Sequence, residues 1–374
     1  MTGGPMPPRE MAGVRRPWLA VGALVAGLLA LRAVAPFLGP AGPVPVPAAP
    51  VATVATRPAP LTEATGASLL LGGDGGLLRV DLDRGRVRPV PLPPGAGEAG
   101  IGLVERDGVV VAVRGGVAYA ASGKPGQRAA PLGPASYAVA SASPGRVWLV
   151  EETGDPERWF RLREVDLGRP LGGGAVAGDR GVLPLGRRPV AAAPGGLLVH
   201  EVGGGDGLAV WDPRTGRLGR RLPAGATLTA VAAHGHAVAW VEGVTLHLGD
   251  LASGRDRVVQ PPPGTDGFAA PGAFSPDGRS LATVTRVGFS TRPALALVAV
   301  DRAAAVRVAG SDGALSDRCS PCLAWAPAGD WVFFSRLGPG FGIGAYRLGR
   351  PQAVTVPVDV PFSFPPSFAV TRPE

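Results

Sequence analysis

The chain of 374 residues holds 58 glycines and 42 prolines, with 45% hydrophobic and 18% charged residues. Glycine and proline together exceed a quarter of the chain, which excludes a helical bundle: these residues are the least tolerated inside helices and the most needed at turns between short strands. The formal net charge of +8 is carried almost wholly by arginine, since Lys124 is the only lysine, and the arginines stand among acids, as Arg84, Arg86 and Arg88 do beside Asp81 and Asp83. That scatter lacks the clustered basic stripe and stacking aromatics of a nucleic-acid binder, so no nucleic-acid partner is expected. No asparagine occurs, and Ile101 and Ile343 are the only isoleucines, the mark of a GC-rich coding bias. Valine, leucine and alanine are nonetheless ample for a core.

In chain order, residues 1–16 read as a short cytoplasmic tail and residues 17–38 as a transmembrane signal-anchor helix. The run from Pro17 to Leu31 has no charge, and from Trp18 the apolar stretch continues past Arg32 to Leu38. A spanning helix needs about 20 residues, and one arginine near its end can snorkel to the headgroups. Arg15 and Arg16 precede the run, so the positive-inside rule keeps the N-terminus in the cytoplasm and exports the rest, a single-pass protein of the cytoplasmic membrane. The alternative is secretion after cleavage, because Ala33-Val34-Ala35 has the small-x-small form of a signal-peptidase site; Pro36 directly after it fits that form poorly. Residues 39–66 carry prolines 40, 43, 45, 47, 50, 58 and 60 with almost no charge, a Pro/Ala-rich linker of polyproline II type that stands a domain off the membrane.

Residues 67–374 lose the helix period and alternate short apolar runs with glycine turns. One unit, strand–turn–strand, recurs at 102–113, 139–150, 190–200, 230–241, 273–284 and 323–334, around Gly108, Gly145, Gly195, Gly235, Gly278 and Gly329. A second unit, a third strand closed by a polar turn, recurs seven times, at 77–87, 116–127, 160–170, 208–218, 244–255, 295–306 and 343–354. Six copies of the first against seven of the second leave the first repeat one strand short, and the apolar segment 365–372 is unassigned. Seven blades of about 44 residues fill the 308 residues from 67 to 374. The expected fold is therefore all-β, a seven-bladed β-propeller whose first blade is closed by the C-terminal strand.

Phe274-Ser275-Pro276-Asp277-Gly278-Arg279-Ser280-Leu281-Ala282 resembles the FSPDG-x-x-LA core of TolB-type, WD40-like (PD40) propeller repeats, and 323–336 resembles a looser copy. LAVWDPRTGRL (208–218) and LGDLASGR (248–255) are similar to the end of a WD40 repeat. The resemblance covers 67–374 as architecture and implies a propeller used mainly to bind partners.

No catalytic, cofactor-binding or metal-binding constellation is expected. There is no G-x-S-x-G elbow, and Ser275-Pro276-Asp277-Gly278 does not continue as a sialidase box, which leaves Asp277 and Gly278 as turn residues. His234 and His236 could offer two imidazoles to a metal, yet they flank the Gly235 turn and read as part of a hairpin. Cys319 and Cys322 are the entire cysteine content and, in an exported domain, are expected to form a disulfide, with redox exchange as the alternative for a C-x-x-C spacing. Trp148, Trp211, Trp240, Trp325 and Trp331 read as inter-blade core rather than as a sugar-stacking platform. The expected function is a non-catalytic protein-interaction or ligand-binding module at the bacterial cell envelope, with an envelope protein as partner. The alternatives are a lyase or hydrolase with its site at the central channel mouth, and a binder of anionic envelope polymer.

Overall fold

The computed structural model of the protein describes residues 63–73, 76–92, 102–122, 129–168, 176–201, 207–225, 231–286, 293–314, 322–337, 341–356 and 367–373, together with Leu61 and Val358. The expected tail, membrane helix and nearly all of the linker lie outside them, as does Cys319. Among the described residues there are twenty-eight strands, numbered β1 to β28 in chain order, and no helix.

The strands form seven four-stranded antiparallel sheets. Six are each made of four consecutive strands, and their innermost strands are β4 (Gly102–Arg106), β8 (Tyr137–Ala140), β12 (Arg187–Ala193), β16 (Val231–His234), β20 (Gly267–Phe274) and β24 (Leu323–Trp325). The remaining sheet joins β28 (Ser367–Thr371) to β1 (Ser68–Gly73), β2 (Gly76–Asp81) and β3 (Arg86–Val90). In it Ser68 stands opposite Thr371, Leu69 opposite Val370, Leu70 opposite Ala369 and Leu71 opposite Phe368. Innermost strands touch in a ring: β28 meets β4, each of β4 to β20 meets the next innermost strand, and β24 meets β28. The described residues thus form a seven-bladed propeller.

Each sheet packs on two neighbours, so its middle strands bury both faces and read as unbroken apolar runs rather than alternating ones. In β1, Leu69 and Leu71 join Phe333, Ile343, Phe368 and Val370 of the last blade and the seam strand. Leu70 points the other way, with Val110, Ala112 and Ala369, toward the second blade. Trp148, Trp211, Trp240, Trp325 and Trp331 are all buried, as expected of inter-blade core.

The six glycines of the first unit all lie in the left-handed region, with φ between 57° and 90°, in hairpin loops of two residues (107–108, 194–195, 235–236) or five (141–145, 275–279, 326–330), a conformation that residues with a Cβ resist. Gly278 has a second constraint, since a Cβ there would sit 2.6 Å from the His234 ring of the preceding blade. Several third strands end in aspartate-capped turns. Asp212 accepts hydrogen bonds from the Arg214 N–H (2.8 Å) and the Thr215 hydroxyl (3.0 Å), and Asp250 from the Ala252 N–H (2.9 Å) and the Ser253 hydroxyl (2.8 Å). The WD40-like string ends therefore encode a turn in which a short side chain mimics the backbone.

Candidate binding site at the ring axis

Where seven strands converge on one axis, side chains must be small, and the innermost strands supply this: β8 is Tyr-Ala-Val-Ala and β12 ends in Val-Ala-Ala-Ala. Strands β4, β8, β12 and β16 and their hairpin turns enclose a cavity of about 600 Å³. Its wall is mostly alanine and valine, with Arg106, Ser141 and His234 as its polar side chains among the described residues. No described carboxylate lines it.

The polar groups are held at the turn end of the strands. Arg106 closes β4, with its guanidinium directed to the Ala142 carbonyl of the next blade at 3.5 Å and its Nε 3.4 Å from Asp107. Asp107 itself has φ 51°, a strained value for a residue with a Cβ. Its carboxylate accepts from the Gly145 N–H at 2.5 Å, so the turn of the second blade is tied to the turn of the third. Glu105 accepts from the Gly108 N–H at 2.7 Å within the same turn. Burial raises its pKa above the usual carboxylate value, and that hydrogen bond only partly offsets the rise.

Ser141 is buried and its hydroxyl donates to Glu164 at 3.0 Å, while Glu164 also pairs with Arg146 at 3.3 Å. No described imidazole contacts this serine in a hydrogen bond, and the Ser141–Glu164–Arg146 contacts tie the end of β8 to the strands beside it, so the pair braces the wall. His234 stands at the other side of the mouth, its ring 6.3 Å from Phe274 and packed over Gly278. His234 and His236 do flank a hairpin turn, as the sequence reading has it; that His234 also faces the axis cavity was not legible there. The described wall offers shape, apolar surface and Arg106 as its cation, which is the equipment of a binding site.

Of the two cysteines, Cys322 is buried at the start of the last blade, where its carbonyl accepts from the Ser335 N–H at 2.9 Å. The pairing expected with Cys319 falls outside the described residues.

Neither a protein-family model nor a curated protein matches the chain. Solved structures do resemble it. TolB from Acinetobacter baumannii matches over 82% of this chain and 67% of its own, at 13% identity and a TM-score of 0.50. A candidate 6-phosphogluconolactonase from Bacteroides fragilis matches over 84% and 100%, at 14% identity and a TM-score of 0.54. A puromycin-hydrolysing peptidase of Mycobacterium tuberculosis matches over 82% of this chain at 14% identity and a TM-score of 0.55, and the chain spans 55% of that protein's length. The likeness is one of fold, a TolB-like propeller shared by proteins whose names point to different activities.

Proposed function

We propose that the chain is a non-catalytic binding propeller of the bacterial cell envelope, held to the cytoplasmic membrane by residues 17–38 with the N-terminus inside, and that it takes a protein segment at the ring axis. The observation that carries the binding reading is the wall of that cavity, small and apolar with Arg106 as its cation and no described carboxylate to act as base or nucleophile. An extended segment with apolar side chains and an acidic group complements such a wall. The FSPDG-type repeat at Phe274–Gly278 supports a place among TolB-type, WD40-like repeat propellers. Antiparallel pairing of β28 with β1 supports a ring held shut at the first blade, since closure removes the exposed strand edges that invite aggregation. Within this reading Cys319 and Cys322 form a disulfide that braces the loop before β24.

The test uses the full chain in its native membrane with a photo-crosslinking residue at Ala192 on the cavity wall, and the same residue at exposed Val306 as a control. Adducts of discrete mass at Ala192 that vanish when Ala140→Trp narrows the cavity are the expected result. Identical adducts from both positions, or adducts indifferent to Ala140→Trp, would overturn the axial site. The address has its own test: a reporter fused after Glu374 that works only when exported should be active, and activity of a cytoplasm-only reporter there refutes it.

A further inference from the structure

We infer that the first blade carries a second site, an oxyanion pocket for a phosphate group, on the face of its sheet that turns toward the second blade. It stands whether or not the ring axis binds a partner. Four arginines, Arg79, Arg84, Arg86 and Arg88, line a small cavity there with Asp81 and Ser68. The strand register assembles them: Arg79 lies opposite Arg88, Asp81 opposite Arg86 and Ser68 opposite Asp81, so these side chains project from one face of the sheet. That face also carries Leu70, which packs toward the second blade. The four arginines lie within ten residues of sequence, and this pairing brings Arg79, Arg86 and Arg88 onto one face.

Like charges directly opposite across a strand pair repel, and Asp81 is the one carboxylate among the described residues that line the cavity. One of its oxygens accepts from the backbone N–H groups of Asp83 and Arg84, at 3.2 and 3.0 Å, and the other meets the Arg84 guanidinium at 3.4 Å. Arg79 donates to the Arg372 carbonyl at 3.1 Å. Each guanidinium carries five N–H donors in a planar fork that suits oxyanion recognition. The independent observation is Ser68. It is 1% exposed, it lines the cavity, and its buried hydroxyl has no hydrogen-bond partner, as is true of Thr371 directly opposite it in β28. Buried hydroxyls are ordinarily paired, and an anion oxygen would accept from Ser68.

Size and geometry select the ligand class. The cavity of about 60 Å³ is several times the roughly 15 Å³ that one water needs, which suits a group of four oxygens and no extended molecule. Donors arrive from β1, β2, the β2–β3 turn and β3, directions that a tetrahedral phosphate can satisfy together and a planar carboxylate cannot. A free phosphate and the phosphate of a lipid headgroup share this chemistry.

The experiment titrates the full chain in neutral detergent with inorganic phosphate by calorimetry, with acetate in parallel, and floats it with phosphatidylglycerol vesicles against phosphatidylcholine ones. Expected is saturable phosphate binding, at least tenfold tighter than acetate, weakened tenfold or more by Arg86→Gln with Arg88→Gln and severalfold by Ser68→Ala, and unchanged by Arg307→Gln on another blade. Co-flotation with phosphatidylglycerol that needs Arg86 and Arg88 assigns the site to lipid phosphate; phosphate binding without such co-flotation assigns it to a free anion. Both arginines are exposed, so their variants should fold. Phosphate protection of Arg86 and Arg88 from phenylglyoxal in the unmutated chain gives a readout independent of any variant. Absence of saturable phosphate binding, equal binding of acetate, or labelling of those arginines indifferent to phosphate would overturn the proposal.

Discussion

The seam between the chain ends can be tested through one side chain. Phe368 is fully buried on β28, opposite Leu71, within the cluster that includes Leu69, Phe333 and Ile343. Truncation of a buried phenylalanine to alanine costs about 3–5 kcal/mol, because apolar transfer is lost and a cavity remains. Unfolding entropy of about 2.1 cal/mol/K per residue over the 308 residues from 67 to 374 gives roughly 0.65 kcal/mol/K. A loss of about 4 kcal/mol then lowers the melting temperature by about 6 °C when the ring melts as one unit. Scanning calorimetry of Phe368→Ala should show this shift, while Val306→Ala, at a position 68% exposed, should stay within about 1 °C. Deletion of residues 361–374 removes β28 altogether and bares the inner edge of β1, so it should lower the melt further than the point variant. If Phe368→Ala and the deletion both melt with the unaltered chain, the seam contributes nothing and the reasoning fails.

Glu63 hydrogen-bonds to Arg347 and Arg350, and the Arg347 contact is the main cause that holds its pKa below the usual 4.5. A depressed carboxylate contributes stability that is present above its unfolded pKa and lost as pH falls through the folded one, so Glu63→Gln should flatten the fall of melting temperature below pH 4.5, the effect shrinking in salt because the group is only half-buried. Glu105 runs the other way. Burial holds its folded pKa above 4.5, so it is protonated more readily in the folded state and stability declines as pH rises from 4.5 through the folded value. Glu105→Gln, which can still accept from Gly108, should melt at or above the unaltered chain at pH 7 and lose that advantage below pH 4.5; a lower melt at pH 7 with no such crossover counts against the assignment. Mass spectrometry of exported, alkylated protein should find Cys319 and Cys322 joined to each other, and two alkylated thiols would refute the disulfide.

The hairpins were the legible part of the fold. Gly108, Gly145, Gly195, Gly235, Gly278 and Gly329 sit between apolar runs, and a left-handed residue between two strands leaves few alternatives to a tight turn. The outermost strands were less legible because they bury little: Arg255–Val259 exposes four of its five residues, and Ala304–Arg307 only partly buries one. Neither therefore needs an apolar period. The alanines of β8 and β12 looked like ordinary core in the sequence, because whether a strand faces an axis depends on six other blades. Trp325 was readable as core, yet its indole N–H donation to the Ala273 carbonyl at 2.8 Å joins two blades and has no local signal.

The first blade explains why the pocket of arginines sits where it does. In the other six sheets a hairpin loop joins the innermost strand to the next, and in two of them its groups visibly pair at the corner: Gly108 donates to Glu105, and Gly145 donates to Asp107 of the blade before. In the first blade the innermost strand arrives from the C-terminus, so Thr371 and Ser68 end that corner without a connecting turn. Their two buried hydroxyls are left without the partners that a hairpin's backbone would bring. The turn closing β2 and β3 remains, and it holds Asp81 and Arg84 at the same end. Pairing of β28 with β1 thus produces a corner unlike the other six, with hydroxyls on one side and guanidinium groups on the other. Its cost is a less satisfied polar corner, and a bound anion is the simplest group that would satisfy both sides at once.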